Sequence, residues 1–572
     1  MIRSIFILLA LFTFSATMGQ TPTNYEAKWK EVDDLLNNRG LVKTAIAEIQ
    51  KIYDLAIKEK QEPQQIKALI YLSTLEEDLD EEGETKGIIQ LENELKNTKA
   101  PVTQILHSIL AGKYNNYFQQ NRWRLYDRTA TKNSDDSLKS LGIEELHQKI
   151  SYHYRESLKN AELLQNTRLE KYDPLIEKGN VRTLRPTLYD MLAHQALEYF
   201  ENDERDLKKP AYSFTINDAR AFAPAAEFIN TDFKTSDTAS LYHQALLTYQ
   251  QILAFHLNDN EPSALIDANL NRLAFMHTAS VIENKDQLYN QSLLQLQNSY
   301  PKHPLAAQAG VTRLENLYNE AMEYQPGISD PSKRSALQQI AKELRSLSDT
   351  HPGTEAAASA QNLLQNILQE TVSAKTELVN LPGKPFLSLV SYRNIDSFYY
   401  RILKVDEPEL LRGTAAYNDY WTNLLNIIPL RQVTQKLPDI GDHREHKTEI
   451  KIDALPVGNY ALLCSSSEDF SLQANQLTVQ FFHISQIAYM KKGSNYFILN
   501  RESGAPLQGA EVKLMQQKYD GTGKRSRMVY SQLTTQKANA DGYLKIDVPA
   551  NVNNYVLDIT WKNDRLFTRL IQ

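Results

Sequence analysis

From Tyr25 to about Lys375, apolar residues recur three or four positions apart, as in Val42, Ala45, Ile46, Ile49, Ile52, Tyr53, Ala56 and Ile57. Residues so spaced share one side of a helix, so each such segment predicts an amphipathic helix that buries a single stripe. The pattern returns in Val102 to Leu110, Leu241 to Leu253 and Leu337 to Leu347. Breaks at Glu62-Pro63, Lys99-Ala100-Pro101, Asn260-Glu261-Pro262 and Asp330-Pro331 set polar residues beside proline, which opens helices and interrupts them. Short breaks between helices of this length predict antiparallel helix pairs. Near Leu378 the period falls to two. Runs such as Phe386 to Tyr392 and Phe398 to Val405 alternate apolar and polar residues and are rich in β-branched and aromatic types, as strands are. Further strands are predicted at Thr448 to Ile452, Tyr460 to Cys464, Leu477 to Phe482, Ala488 to Met490, Ser494 to Asn500, Ala510 to Met515, Leu544 to Val548 and Tyr555 to Trp561. Turn signals at Pro456 to Asn459, Ser503-Gly504 and Asp541-Gly542 make them antiparallel β-sandwiches.

The predicted fold is therefore multidomain: an irregular α-helical array over residues 20–375, then β-sandwiches over 376–480 and 481–572. A weak internal repeat supports paired helices of the tetratricopeptide style. Tyr300-Pro301-Lys302-His303-Pro304-Leu305-Ala306-Ala307 resembles His351-Pro352-Gly353-Thr354-Glu355-Ala356-Ala357, a helix start whose small residues suit close packing. Two polar stretches, Arg128 to Ser137 and Glu201 to Ser236, break the rhythm and read as solvated loops.

Ahead of the array, Arg3 precedes the apolar Ile5 to Phe14 and the mostly small Ser15 to Gly19. This is the layout of a secretory signal over residues 1–19, cleaved after Gly19. The apolar run falls short of the roughly 20 residues a membrane-spanning helix needs, so export without a transmembrane anchor is expected. A length of 572 residues exceeds the ~100–200 of one domain. Lys and Arg number 63 against 70 Asp and Glu, a net charge of −7 that offers nucleic acid no basic surface. With Cys464 as the sole cysteine, no internal disulfide forms and stability must come from packing.

Few residues carry a chemical motif. His443-Arg444-Glu445-His446, beside Asp442 and Glu449, lacks the spacing of a helical zinc site and reads as a solvated loop. Gly523-Lys524 lacks the rest of a phosphate loop, so Lys524 to Arg527 reads as a solvated hairpin tip; the acidic pairs Glu76-Glu77 and Glu81-Glu82, at a helix end with Asp78 and Asp80, read as a charged loop. No Gly-x-Ser-x-Gly elbow occurs. Tyr114, Tyr117, Phe118 and Trp123 sit at helical spacing, as packing residues do. No catalytic, cofactor-binding or metal-ligating residue is assigned, no cofactor is expected, and the chain is not expected to be an enzyme.

A constellation in the strand region resembles a known family. Asn500-Arg501-Glu502-Ser503-Gly504-Ala505-Pro506-Leu507-Gln508-Gly509-Ala510-Glu511-Val512 is similar to the D-x-x-[ST]-G-x-P-[LV]-x-G-A-x-V turn of the second macroglobulin-like (MG2) domain of bacterial alpha-2-macroglobulins, with Asn500 in place of Asp. Ser391 to Asp396 and Leu455-Pro456-Val457-Gly458-Asn459-Tyr460 resemble parts of the preceding macroglobulin domain. Arg185-Pro186-Thr187-Leu188-Tyr189-Asp190-Met191-Leu192-Ala193 looks like the helical leader of long relatives from Bacteroidetes-type bacteria. The resemblance implies a secreted endopeptidase inhibitor of the periplasm or cell envelope of a Gram-negative bacterium, with proteases as partners. It also implies a thioester from Cys-x-x-Gln in members that trap proteases covalently. Cys464 is followed by Ser465-Ser466-Ser467 and cannot form that bond. The expectation is a scaffold part without bait region or thioester, either a fragment or a shortened protein. The alternative is a helical-array interaction protein of the envelope that holds a protein partner and uses the sandwiches as spacers.

Overall fold

The computed structural model describes residues 24–568 apart from 80–82, 127–137, 139–140, 178, 203–211, 406–416, 439, 474, 521–526, 550–551 and 553. The predicted signal segment, the Arg128 to Ser137 stretch and the Lys524 to Ser526 turn lie outside the described residues, as do Asp80 to Glu82 of the acidic run. An N-terminal helical array is followed by antiparallel β-sheets, and the chain packs as two compact units, residues 1–310 and 311–572.

The first unit contains α1 (Tyr25–Asp33), α2 (Val42–Glu59), α3 (Glu62–Leu79), α4 (Gly83–Leu95), α5 (Val102–Tyr126), α6 (Ile143–Ser157), α7 (Ala161–Gln165), α8 (Leu188–Phe200), α9 (Ala225–Phe228), α10 (Leu241–His256), α11 (Ser263–Ala279) and α12 (Lys285–Ser299). The helical spacing read from the sequence is what faces inward: α2 buries Ala45, Ile49, Ile52, Tyr53 and Ala56. One continuous core runs from Trp29 to Ala309. Not all of Glu201 to Ser236 is solvated loop. Ile216, Ala221, Phe222, Phe228 and Phe233 are buried, because a chain too polar for a long helix still supplies enough apolar residues to pack on α10 and α11.

Helix α13 (Pro304–Met322) spans the boundary between the units, and α14 (Ala336–Thr350) and α15 (Glu355–Leu368) pair within the second. The two segments of the weak repeat open α13 and α15. Ala306, Ala307, Ala356, Ala357 and Ala360 are buried, small residues letting the helices approach closely. The Thr354 hydroxyl accepts from the Ala357 amide at 3.1 Å and caps the start of α15.

Strands β1 (Thr371–Thr376), β2 (Val379–Asn380), β3 (Phe386–Arg393) and β4 (Ser397–Lys404) come next. After them stand helix α16 (Tyr417–Leu425) and strands β5 (Arg431–Lys436), β6 (His446–Ile452), β7 (Gly458–Ser465) and β8 (Leu477–Ile484). They form two sheets, β1-β3-β6 and β2-β8-β7-β4-β5, antiparallel except where β2 runs parallel to β8. Val390, Tyr392, Phe398, Tyr460, Leu462 and Phe482 fill the space between them. The other face of the five-stranded sheet is covered in part by α16, through Trp421 and Leu424 against Leu403, Ala461 and Leu463. With both faces covered, β7 is buried from Tyr460 to Ser465, so its sequence is a continuous apolar run rather than an alternation.

The second sandwich has β9 (Ile487–Lys492), β10 (Asn495–Asn500), β11 (Glu511–Asp520), β12 (Arg527–Lys537), β13 (Tyr543–Lys545), β14 (Tyr555–Trp561) and β15 (Asp564–Phe567). The sheets β13-β10-β9 and β12-β11-β14-β15 enclose Tyr496, Ile498, Val512, Leu514, Leu557 and Ile559. Among the described residues, no helix is long and apolar enough to cross a membrane.

Candidate functional site

Only Ser485 and Gln486 separate the two sandwiches, and both are pinned. The Ser485 amide donates to Asn380 O at 3.0 Å and the Gln486 amide to Asp564 Oδ2 at 2.7 Å. Arg501, just past β10, donates through Nε and Nη2 to Ile487 O at 3.2 and 3.1 Å. Burial lowers the Arg501 pKa, partly offset by Glu377 and Asp564. A short, hydrogen-bonded junction of this kind holds two sheets at a set angle, and here it leaves a cleft of about 630 Å³ between them.

One wall of the cleft is the outer face of β8, with Val479 and Phe481, joined by Leu378. The other is the outer face of the four-stranded sheet, with Tyr530, Val556 and Phe567. Tyr530 packs edge-on against Phe567, ring centroids 5.3 Å apart, and its hydroxyl accepts from Gln517 Nε2 at 3.2 Å. Mostly apolar walls with hydrogen-bonding groups at the margin, at this volume, are the usual make-up of a ligand site. Such a surface can bind, but it offers no activated nucleophile. The one thiol, Cys464, lies inside the first sandwich; burial pushes its pKa up to about 12, so the reactive thiolate is not populated near neutrality.

The motif residues behave differently from one another. Asn500 organises the turn after β10: its Oδ1 accepts from the amides of Glu502 and Ser503 at 3.0 and 2.9 Å and from the Ser503 hydroxyl at 3.0 Å. Gly504 follows at φ +72°, Pro506 bridges back to Leu499, and Leu507 and Ala510 enter the core. Three donors converge on an acceptor, which an amide oxygen supplies as a carboxylate would, so Asn serves where the similar pattern has Asp. At the other resembling turn the Tyr460 hydroxyl donates to Pro456 O at 2.9 Å, tying the start of β7 to its own turn.

His443 to His446 is not a solvated loop. Asp442 is buried and accepts from His446 Nε2 at 2.8 Å and from Arg334 Nε at 3.2 Å. Arg444 donates to the carbonyls of Ala321, Arg334 and Lys333 at 2.8, 3.1 and 3.1 Å, its guanidinium 4.4 Å from the Tyr324 ring centroid. These groups fasten the first sandwich to the helices before it. Their carbonyl partners lie more than a hundred residues upstream, which is why the sequence pattern alone shows only a polar cluster. No group of three or more potential metal ligands occurs among the described residues. Tyr114, Tyr117 and Phe118 are buried, whereas Trp123 is 74% exposed.

A second set of polar groups has no motif at all. His256, at the end of α10, is 1% exposed, with Nε2 2.7 Å from Asp190 Oδ1 and Nδ1 2.7 Å from Asp259 Oδ2. The other oxygen of Asp190 accepts from the Thr187 amide and hydroxyl at 2.9 and 2.8 Å, a capping box that starts α8. Thr187 and Asp190 belong to the leader-like segment, but nothing in the sequence links them to His256.

No family model matches the chain, and no curated protein matches it. Among solved structures, the crystal structure of red sea bream transglutaminase is similar over 38% of this chain and 34% of that chain, at 12% identity and a TM-score of 0.17. The likeness thus spans about a third of the transglutaminase and carries nothing about activity.

Proposed function

We propose that the chain is an alpha-2-macroglobulin-like protein of the cell envelope, the non-covalent scaffold part of an endopeptidase inhibitor, exported by its N-terminal signal. The support is the corner from Asn500 to Ala510: the residues on which the resemblance rests act together as one turn joining the two sheets of a sandwich. The buried Cys464 thiol agrees with binding by contact rather than by an acyl bond. On this reading the chain holds its partner and transforms nothing.

The test is to incubate the full chain with a panel of endopeptidases. It follows co-elution on gel filtration, adducts on denaturing gels, and cleavage of a protein substrate against a short peptide. Expected are co-elution with a protease, no adduct, and unchanged cleavage of both substrates. A covalent adduct, or stoichiometric protection of the protein substrate, overturns the scaffold assignment. Absence of association with every endopeptidase overturns the inhibitor reading and leaves the envelope interaction protein.

A further inference from the structure

The cleft between the two sandwiches is polar at the junction and apolar along its walls. Arg501 lines it, and the Arg501 amide donates to Gln486 O at 2.6 Å. Both Nε and Nη2 of its side chain go to Ile487 O, which leaves Nη1 with no acceptor among the described residues; that nitrogen is not sealed from solvent. Asn459 lines the opposite wall, in register with His483, three positions before Gln486. Its Oδ1 lies 2.8 Å from His483 Nδ1, and its Nδ2 is likewise without a partner and open. Two donors therefore stand ready at the same end of the cleft.

Away from the junction the walls are apolar. Residues two apart on a strand share a face, so His483, Phe481 and Val479 of β8 form one row, facing the wall of Tyr530, Val556 and Phe567. Leu378, Val479, Phe481 and Tyr530 are only half-buried, so apolar surface inside the cleft is open to a ligand. The row from His483 to Val479 extends about 13 Å. An extended alkyl chain of about ten carbons, with bonds of about 1.5 Å, has that length.

Charge decides the head group. Arg501 is the only Lys, Arg, Asp or Glu among the described residues that line the cleft. Its guanidinium is already under the influence of Glu377 and Asp564, both of which raise its pKa against the effect of burial. A carboxylate brought to Arg501 would meet these two acids as well as the guanidinium. A carbonyl oxygen accepts from the same Nη1 and from Asn459 Nδ2 without adding a charge.

We propose that the cleft binds an uncharged acyl compound, its alkyl chain of about ten carbons lying between the sheets and its ester or amide carbonyl at Arg501 and Asn459. The site is built by the sandwiches alone and does not rest on the endopeptidase reading, so either can fail without the other.

The full chain is titrated by calorimetry with monodecanoylglycerol, with decanoate and with decyltrimethylammonium, each below its micelle concentration and at matched ionic strength. Displacement of phenylnaphthylamine, a neutral dye that fluoresces in apolar sites, is followed in parallel. The ester is expected to bind and to displace the dye, and the two ions to bind at least about tenfold more weakly. Tyr530→Glu and Leu378→Glu each set a carboxylate in one wall and are expected to weaken ester binding at least about tenfold, with thermal unfolding as the check that each variant folds. Phe497→Glu, on the exposed face of the three-stranded sheet, is expected to leave ester binding unchanged. Absence of ester binding overturns the proposal, as does ester binding undiminished by both cleft substitutions. Decanoate binding as tight as that of the ester overturns the uncharged head and makes the cleft a carboxylate site.

Discussion

Each ring nitrogen of His256 lies 2.7 Å from a carboxylate oxygen, an arrangement in which both nitrogens donate when the imidazole is protonated and which favours that cation. Burial works against that charge, but the hydrogen bonds and charges of Asp190 and Asp259 outweigh it and leave the pKa raised. A raised folded-state pKa stabilises fully below the unfolded value of about 6.5 and loses that stabilisation as pH rises through the higher folded value. Denaturant midpoints of the chain are therefore expected to fall on raising the pH from 6.5, and His256→Gln is expected to flatten that slope and to cost about 3 kcal/mol. His153 has the opposite sign. Burial, with His107 and Lys149, lowers its pKa to about 3, so its contribution is intact above pH 6.5 and is lost on acidification. Cys464 is expected to resist thiol reagents in the native protein and to react at once after denaturation. A labelling time course checks this, and prompt native labelling would contradict the buried, protonated thiol.

The corner between β10 and β11 is an element whose chemistry the sequence states openly. Asn500→Asp is expected to match or exceed the parent stability, since a carboxylate accepts from the same donors, whereas Asn500→Ala should cost about 1 kcal/mol. Urea unfolding of the three proteins decides it. Gly542 is a stricter case. It sits at φ +72°, and an added Cβ would lie 2.4 Å from Ile498 O, in the strand whose amide bonds Gly542 O at 2.8 Å. Gly542→Ala is expected to destabilise the second sandwich by about 1–3 kcal/mol, with faster hydrogen exchange at the Ile498 amide. The glycine was visible as a turn residue; the strand lying against it was not. Similarly, the apolar run of β7 was readable as a strand, while its coverage by α16 depends on residues 417–425, distant along the chain.

At the scale of the second unit, polar clamps determine how its layers are fastened. Arg444 bonds three carbonyls of the preceding helical segment and stacks on Tyr324, so Arg444→Ala is expected to cost about 2–3 kcal/mol and to hasten proteolysis around residues 321–335. Arg444→Lys is expected to rescue little, because a point ammonium cannot reach three acceptors from one planar fork. Had the stretch been the solvated loop its composition suggests, both substitutions would be silent in a proteolysis time course. The order of helical array and sandwiches was legible because burial of one face imposes periods of 3.6 and two on any sequence that folds this way. The cleft beside Tyr530 was not, since it is formed by elements far apart in the chain.

The sequence by itself determined the element types, the antiparallel character of most of the sheet, the turn chemistry at Asn500 and the lack of a thioester pair around Cys464. These are local consequences of side-chain shape, backbone freedom and hydrogen-bonding capacity. Tertiary structure decided which polar groups meet. It set His256 between two carboxylates that favour its cation, turned His443 to His446 into a clamp, and left Arg272 buried with no carboxylate partner among the described residues. The physical reason is that a buried charge is governed by what faces it across the core, and such a partner can stand anywhere along the chain.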